Sequence, residues 1–292
     1  MHHGTNGKSR TAKSVYCITV MKLPTINGIL QTITRSGPRL GLALSGGGAR
    51  GFSHIGVVLA LERFGLKASI CAGVSAGSIA AAMYGAGFTG AQMRDCFIEH
   101  LRFGDFKEWT MPRDGLMSLR RFEKLLRQWL PTQKLEEMQI PTYICATNLD
   151  KGVSTGFSAG NTVQAVLASC SIPVLFPPVR INGVHYIDGG VLRNLPAWAI
   201  RDKCDILLGS NCNPLDRNYR YRSSILSIAL RSYHLVMKGN VLQDLEKCDY
   251  VIQNRSLSRY STFSVKEMDR IILEGYEAAL PVVEEIANRH YR

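Results

Sequence analysis

The sequence predicts an α/β domain built on a mostly parallel sheet, with a nucleophile elbow between one strand and its helix. Two observations lead there. Short apolar runs, Leu40–Leu44 and residues 69–73, are each followed by a glycine-bearing turn and then by a segment with helical spacing. The resulting order is strand, glycine turn, helix, strand, sharp turn, helix, the alternation that places parallel strands side by side.

The elements follow in order. Leu40–Leu44 reads as a strand buried on both faces, and the glycine turn comes next at residues 46–51. Over 54–64, Ile55, Val58 and Leu59 recur at helical spacing. Residues 69–73 are a second strand, and 77–85 a helix of small residues whose alanines permit close packing on the sheet. The stretch 91–130 is helical with one polar face, most clearly at 120–130. A strand at 143–147 precedes a short helix at 161–169, stopped by Pro173. Another strand, 184–187, ends at Asp188-Gly189-Gly190, and a helix at 196–202 carries proline in its first turn. Strands at 206–209 and 250–252 flank a helix at 225–245, and a helix at 266–290 closes the chain. No internal repeat or low-complexity linker follows residue 40. The expectation is therefore a basic extension at 1–39 and one catalytic domain at 40–292, its motifs within 40–202 and its completion at 203–292.

Composition narrows the class. The chain has 292 residues, an apolar fraction of 46% and a net charge of +12, which together describe a globular and basic protein. Its eight cysteines are scattered without a C-x-x-C, as suits buried thiols in a reducing compartment and not a disulfide framework or zinc site. Residues 1–40 carry six basic side chains and no acid, and Arg217, Arg220 and Arg222 form a second basic stretch. Such charge suits an anionic surface or simply a solvated face. No RNP or zinc-finger pattern accompanies it, so phospholipid is favoured over nucleic acid as a partner. The mildly apolar stretch 14–21 barely reaches the length of a signal h-region and has no clear small-residue cleavage site, so secretion is not expected, and Met21 is an alternative start. Residues 68–93 lack charge, but glycines interrupt them, which fits a buried strand, turn and helix better than a bilayer span. The expected setting is cytoplasmic, with peripheral contact to an anionic membrane compatible with the charge.

Two motifs carry chemistry. Gly73-Val74-Ser75-Ala76-Gly77 has the G-x-S-x-G form, which holds a serine on a tight strand-to-helix turn with its hydroxyl exposed. The helix dipole beneath it favours the alkoxide. Gly46-Gly47-Gly48-Ala49-Arg50-Gly51 offers backbone N–H groups for an oxyanion. In letters it also matches a dinucleotide fingerprint, but the second strand ends without the carboxylate that reading wants, and the Gly-Lys-Ser/Thr of a P-loop is missing. The oxyanion reading is favoured. A serine needs a base. His54, His100, His185, His234 and His290 are the histidines beyond the tail, and none stands at a strand end followed by a loop. His54, just after the glycine turn, is the best of them for a hidden triad, though packing is its ordinary role. Asp188 does stand at a strand end, and Gly189-Gly190 lets the backbone pass closely. It reads either as an Asp-Gly turn or, if desolvated against Ser75, as a base. Phe103, Phe106, Trp109 and Met111, beside Arg102 and Lys107, read as a lid that meets lipid or as a packed helix edge.

With these residues in view, the chain resembles the patatin-like phospholipases. Gly-Gly-Gly-Ala-Arg-Gly at 46–51, Gly-Val-Ser-Ala-Gly at 73–77 and Asp-Gly-Gly at 188–190 are similar to that family's three signatures in order and spacing. The resemblance implies a three-layer patatin-like fold related to that of cytosolic phospholipase A2. It implies a Ser–Asp dyad of Ser75 and Asp188, an oxyanion hole at Gly46, Gly47 and Gly48, and Arg50 helping to make a positive site. Gly51, Gly73, Gly77, Gly189 and Gly190 are then motif glycines. It implies a lipid or ester substrate and neither metal nor cofactor. A thioesterase, transacylase or small-ester esterase would use the same parts. A non-catalytic nucleotide-binding protein and a basic membrane adaptor are the readings from other classes.

Overall fold

A computed structural model of the chain describes residues 37–101, 119–214, 223–263 and 265–291, all within one compact unit from Thr34 to Arg292. Nearly all of the basic extension, the cluster at 103–111 and the basic stretch at 217–222 lie outside the described residues.

The elements run β1 (Leu40–Leu44), α1 (Ser53–Arg63), β2 (Ile70–Val74), α2 (Ala76–Gly85), α3 (Gly90–Leu101), α4 (Arg120–Trp129), β3 (Thr142–Asn148), β4 (Val153–Phe157), α5 (Thr162–Ser169), β5 (Val179–Ile181) and β6 (Val184–Asp188). They continue with α6 (Ala197–Ile200), β7 (Ile206–Asn211), α7 (Ile225–Asn240), α8 (Leu242–Leu245), β8 (Tyr250–Gln253) and α9 (Met268–His290). The expected strands and helices in the described residues are present, with the 225–245 helix divided at Val241. β4 and β5 are additions. β4 is half-exposed with no continuous apolar run and β5 is three residues long, so neither announces itself as a buried strand.

The sheet is α/β and mostly parallel. β3, β2, β1, β7 and β8 pair in parallel, while β4 and β6 run antiparallel to β3, and β5 antiparallel to β6. Its two faces bury different cores. Leu40, Leu42 and Leu44 of β1 point into the larger one with Val57, Leu61, Ile271 and Val283, from α1 and α9. Ala43 points the other way, toward Leu195, Ile200 and Leu207. Burying each such leucine contributes about 1.5–3 kcal/mol, which is why a five-residue strand with no polar face is stable at the centre of three layers.

One feature of the pairing makes the site. β4 follows one edge of β3 over Ile144–Asn148, so β2 and β6 must share the opposite edge. β2 takes the first part, with Val74 opposite Cys145, and β6 takes the next, with Asp188 opposite Ala146. Because β2 is parallel and β6 antiparallel to β3, their C-terminal ends meet head to head. The residue after Val74 is Ser75, and the residue ending β6 is Asp188.

Candidate active site

Ser75 occupies the turn from β2 into α2 with φ 51° and ψ −124°, a left-handed φ that costs a non-glycine residue about 1–3 kcal/mol. Hydrogen bonds hold it there. Its N–H donates to Ser169 Oγ at 2.8 Å, and that hydroxyl donates onward to the Cys145 carbonyl at 2.6 Å. Its own carbonyl accepts from the N–H and the hydroxyl of Ser78, at 2.8 and 2.6 Å. The motif glycines are required by contact. A Cβ on Gly73 would stand 2.2 Å from the Gly77 carbonyl oxygen, and one on Gly77 would stand 2.2 Å from that of Leu44. Ser75 makes no side-chain cap to α2, so its hydroxyl is left at the positive end of a ten-residue helix.

Asp188 is completely buried. Its N–H donates to the Ser171 carbonyl at 2.9 Å, and its Oδ1 accepts the N–H of Gly190 at 2.8 Å. Burial pushes the carboxyl up to about 6, while the Ser75 hydroxyl, the Gly190 N–H and the Tyr233 hydroxyl pull it back down. Among the described residues no cation is a cause of its shift. The two hydroxyls are close enough to stabilise the charge, yet Oδ2 has no partner at full hydrogen-bond geometry, and neither has the Tyr233 hydroxyl. They are neighbours of the carboxylate, one short adjustment away from bonding it. Asn194 Oδ1 is also buried and unpartnered. These groups converge on Gly190, where a Cβ would lie 2.7 Å from the Tyr233 oxygen and 2.9 Å from Asn194 Oδ1. Ser169, Asn194 and Tyr233 are contributors that the sequence does not signal, because each is a lone polar residue outside any motif.

The glycine turn lies against Ser75, with a Cβ on Gly46 reaching 3.0 Å from Ser75 Cβ, and Gly51 packs on Ala76. The expectation of donors at Gly46, Gly47 and Gly48 needs correction at the first of them. The N–H of Gly46 donates to the Asn194 carbonyl at 3.1 Å, and its carbonyl accepts from the Asn194 side chain at 3.2 Å. Among the described residues the N–H groups of Gly47 and Gly48 have no acceptor. Arg50 faces protein acceptors. Its guanidinium is buried and donates to the carbonyls of Tyr260, Pro214 and Ser258 and to Asn213 Oδ1, at 2.9–3.2 Å. It clamps two chain segments against the glycine turn, with 7% of its surface exposed.

The histidines separate from the site. His54 is fully buried, its Nε2 donating to the Ser45 carbonyl at 2.9 Å and its Nδ1 accepting from Ser210 Oγ at 3.0 Å. Burial lowers its pKa to about 4, against the pull of the Ser45 carbonyl, so it is a neutral packing residue. His185 pairs with Asp150 on the exposed side of β6, and His290 meets Tyr250 at the end of α9. His234, on α7 beside Tyr233, is lowered to about 4 by burial and by Arg50 and Arg231. His100 lies in α3. Two cavities of about 600 and 550 Å³ open elsewhere, between β7, β8 and α9 and beside Arg259, and neither is lined by Ser75, Asp188 or the glycine turn.

The chain is similar in sequence to known proteins. The chain is similar to lysophospholipase NTE1 of Kluyveromyces lactis, 29% identical over 189 residues that cover 63% of this chain and 13% of that protein. It is 32% identical over 176 residues to an uncharacterised NTE family protein of Mycobacterium bovis, covering 55% of this chain and 45% of that one. It thus spans less than half the length of either relative. Among solved structures it is similar to VipD of Legionella pneumophila, with a TM-score of 0.49 and 15% identity over 85% of this chain and 67% of that one. The patatin-like phospholipase model matches residues 42–200, a span that takes in the glycine turn, the Ser75 elbow and Asp188-Gly189-Gly190 together. The chain belongs to the patatin-like phospholipase family.

Proposed function

We propose that this chain is a serine acyl hydrolase that cleaves carboxylic ester bonds of phospholipids or lysophospholipids, with residues 40–292 as its catalytic domain. The observation that carries the reading is the junction of β2 and β6. Supporting it there are a serine on a strained backbone turn, a buried carboxyl raised to about 6, and, among the described residues, two N–H groups without acceptors. The family and the name of the fungal relative supply the substrate class.

Asp188 accepts the proton of Ser75 Oγ as that oxygen attacks the ester carbonyl carbon. The N–H groups of Gly47 and Gly48 stabilise the tetrahedral oxyanion, each such donor being worth about 10²–10³ in rate. Collapse breaks the ester C–O bond, and Asp188 returns the proton to the departing alcohol. Water, deprotonated by Asp188, then attacks the acyl-serine, and the fatty acid leaves as Ser75 recovers its proton. Burial is what keeps the carboxyl basic enough for this work near neutral pH. The Tyr233 hydroxyl favours the charged form of this carboxylate. A cytoplasmic setting is part of the proposal. None of the seven described cysteines is in a disulfide, and no described helix is long and apolar enough to cross a membrane.

Wild type and Ser75→Ala are incubated with mixed phospholipids, lysophospholipids, glycerides and short esters, and the released acids identified. Fatty-acid release from phospholipids should fall by about 10³-fold or more in the variant. Release that persists in Ser75→Ala removes the assignment.

A further inference from the structure

The helix over the dyad has two faces of opposite character. Inward, Tyr233 and Met237 of α7 stand against Gly190, beside Asp188. Outward, Ile225, Ile228, Leu235 and Val236 are exposed, Ile225 by 88%, and Leu242 at the start of α8 extends the stripe. Positions 225, 228 and 235 recur at the three- and seven-residue steps that keep side chains on one side of a helix, and Leu242 lies just past the division at Val241. The solvent side of a globular protein's helix is ordinarily polar, and this one is not.

The same character continues around the site. Val174 is 50% exposed, in the loop whose Ser171 carbonyl accepts the Asp188 N–H. Phe263 is 54% exposed, next to Thr262, whose carbonyl accepts the Ala49 N–H of the glycine turn. Among the described residues, the remaining exposed large apolar side chains are Leu149 and Val153, at the β3–β4 turn. Exposed apolar surface is therefore concentrated on the segments that build the dyad and the turn. The charge there is one-sided. Residues 223–243 include Arg231 and Lys238 and no acid.

We propose that the outer face of α7, with Val174 and Phe263 at its margin, docks on an anionic lipid bilayer and presents the mouth of the dyad to it. The choice of a bilayer rests on the lipid-hydrolase reading above. An apolar helix face with only basic charges is the pattern of a helix that lies in a membrane interface. A second copy of the chain seated on this face would cover the mouth through which a lipid must enter.

The test uses the full chain and an Ile225→Glu/Ile228→Glu variant. Both positions lie in the first turn of α7, where acids suit the helix dipole and neither side chain is part of the core. Three quantities are compared: partition onto vesicles of equal parts phosphatidylcholine and phosphatidylglycerol, turnover of a water-soluble short-chain ester, and molecular mass in solution. Partition should fall about tenfold or more, with soluble-ester turnover unchanged. In wild type, partition should weaken on pure phosphatidylcholine and at high salt. Unchanged partition overturns the proposal, whether the variant melts earlier, which would mean the chain's own residues cover the face, or changes from dimer to monomer, which would mean a second copy does. Equal loss of partition and soluble-ester turnover also overturns it. If wild type hydrolyses no ester yet partitions in the same Ile225-dependent way, the hydrolase reading fails and the docking face stands.

Discussion

Among the described residues two aspartates are completely buried, and they are kept in opposite ways. Asp244 is held by the guanidinium fork of Arg193, Nε to Oδ2 at 2.6 Å and Nη2 to Oδ1 at 2.5 Å, with the Trp198 N–H adding a bond of 3.2 Å. Arg193 also stacks 5.8 Å over the Trp198 ring. Among the described residues Asp188 has one N–H, no cation and an oxygen without a partner. Burial raises both carboxyls, but only at Asp244 does a fixed positive charge oppose it. A carboxylate with a matched arginine is neutralised and serves the architecture. One denied that arginine keeps its appetite for a proton.

Exchanging each for asparagine gives the largest contrast. Asp188→Asn should lower ester hydrolysis by about 10³–10⁴-fold, as expected when the base of an acyl-transfer site is lost. It should also stabilise the protein above neutrality. The folded pKa of about 6 exceeds the ordinary 3.8, so the preference for the neutral form is fully present below pH 4 and is lost as pH rises through 6. Above that, the buried charge costs on the order of 3 kcal/mol, which asparagine removes. Asp244→Asn should instead destabilise by about 3–5 kcal/mol, because Arg193 loses its counter-ion, while the folded fraction keeps its activity. Denaturant melts at pH 5 and pH 8, with turnover measured alongside, check both. An Asp188→Asn protein that unfolds earlier at pH 8 than wild type would break the contrast.

A smaller effect is read in wild type alone. With a carboxylate as base, kcat/KM should rise with pH and level off above about 6. A profile still climbing steeply well above 7 would point to a different base. The finest test is Tyr233→Phe. Removing a hydroxyl that favours the charged carboxylate should move that inflection upward, so the variant is several-fold slower near pH 6 and nearly wild-type at pH 8. A uniform loss at every pH would instead make Tyr233 a packing residue.

What the sequence discloses of this site is local. The serine pentapeptide lies inside one strand–turn–helix unit, so spacing and flanking apolar runs expose it. Asp188-Gly189-Gly190 reads equally well as a turn, and only the family resemblance pairs it with Ser75. The reason is physical: their contact is created by β3, through a register that no periodicity encodes. Arg50 shows the same limit from the other side. Its position beside the glycines suggests an anion site, while the carbonyls that occupy it come from residues 214, 258 and 260. Gly46 fails as a donor for the same kind of reason, its N–H being taken by Asn194. Helical spacing over 225–240 likewise fixes that α7 forms but not which of its faces meets Asp188.

The junction of β2 and β6 has a consequence for how tolerant the fold is. β6 is aligned on β3 by three residue pairs, Ala146 with Asp188, Thr147 with Ile187 and Asn148 with Tyr186. Side chains alternate along a strand, so a slip of one position would turn Asp188 to the far side of the sheet. Buried Tyr186 and Ile187 would turn over with it, so the packing that holds β6 in place is also what keeps its last carboxyl aimed at the elbow.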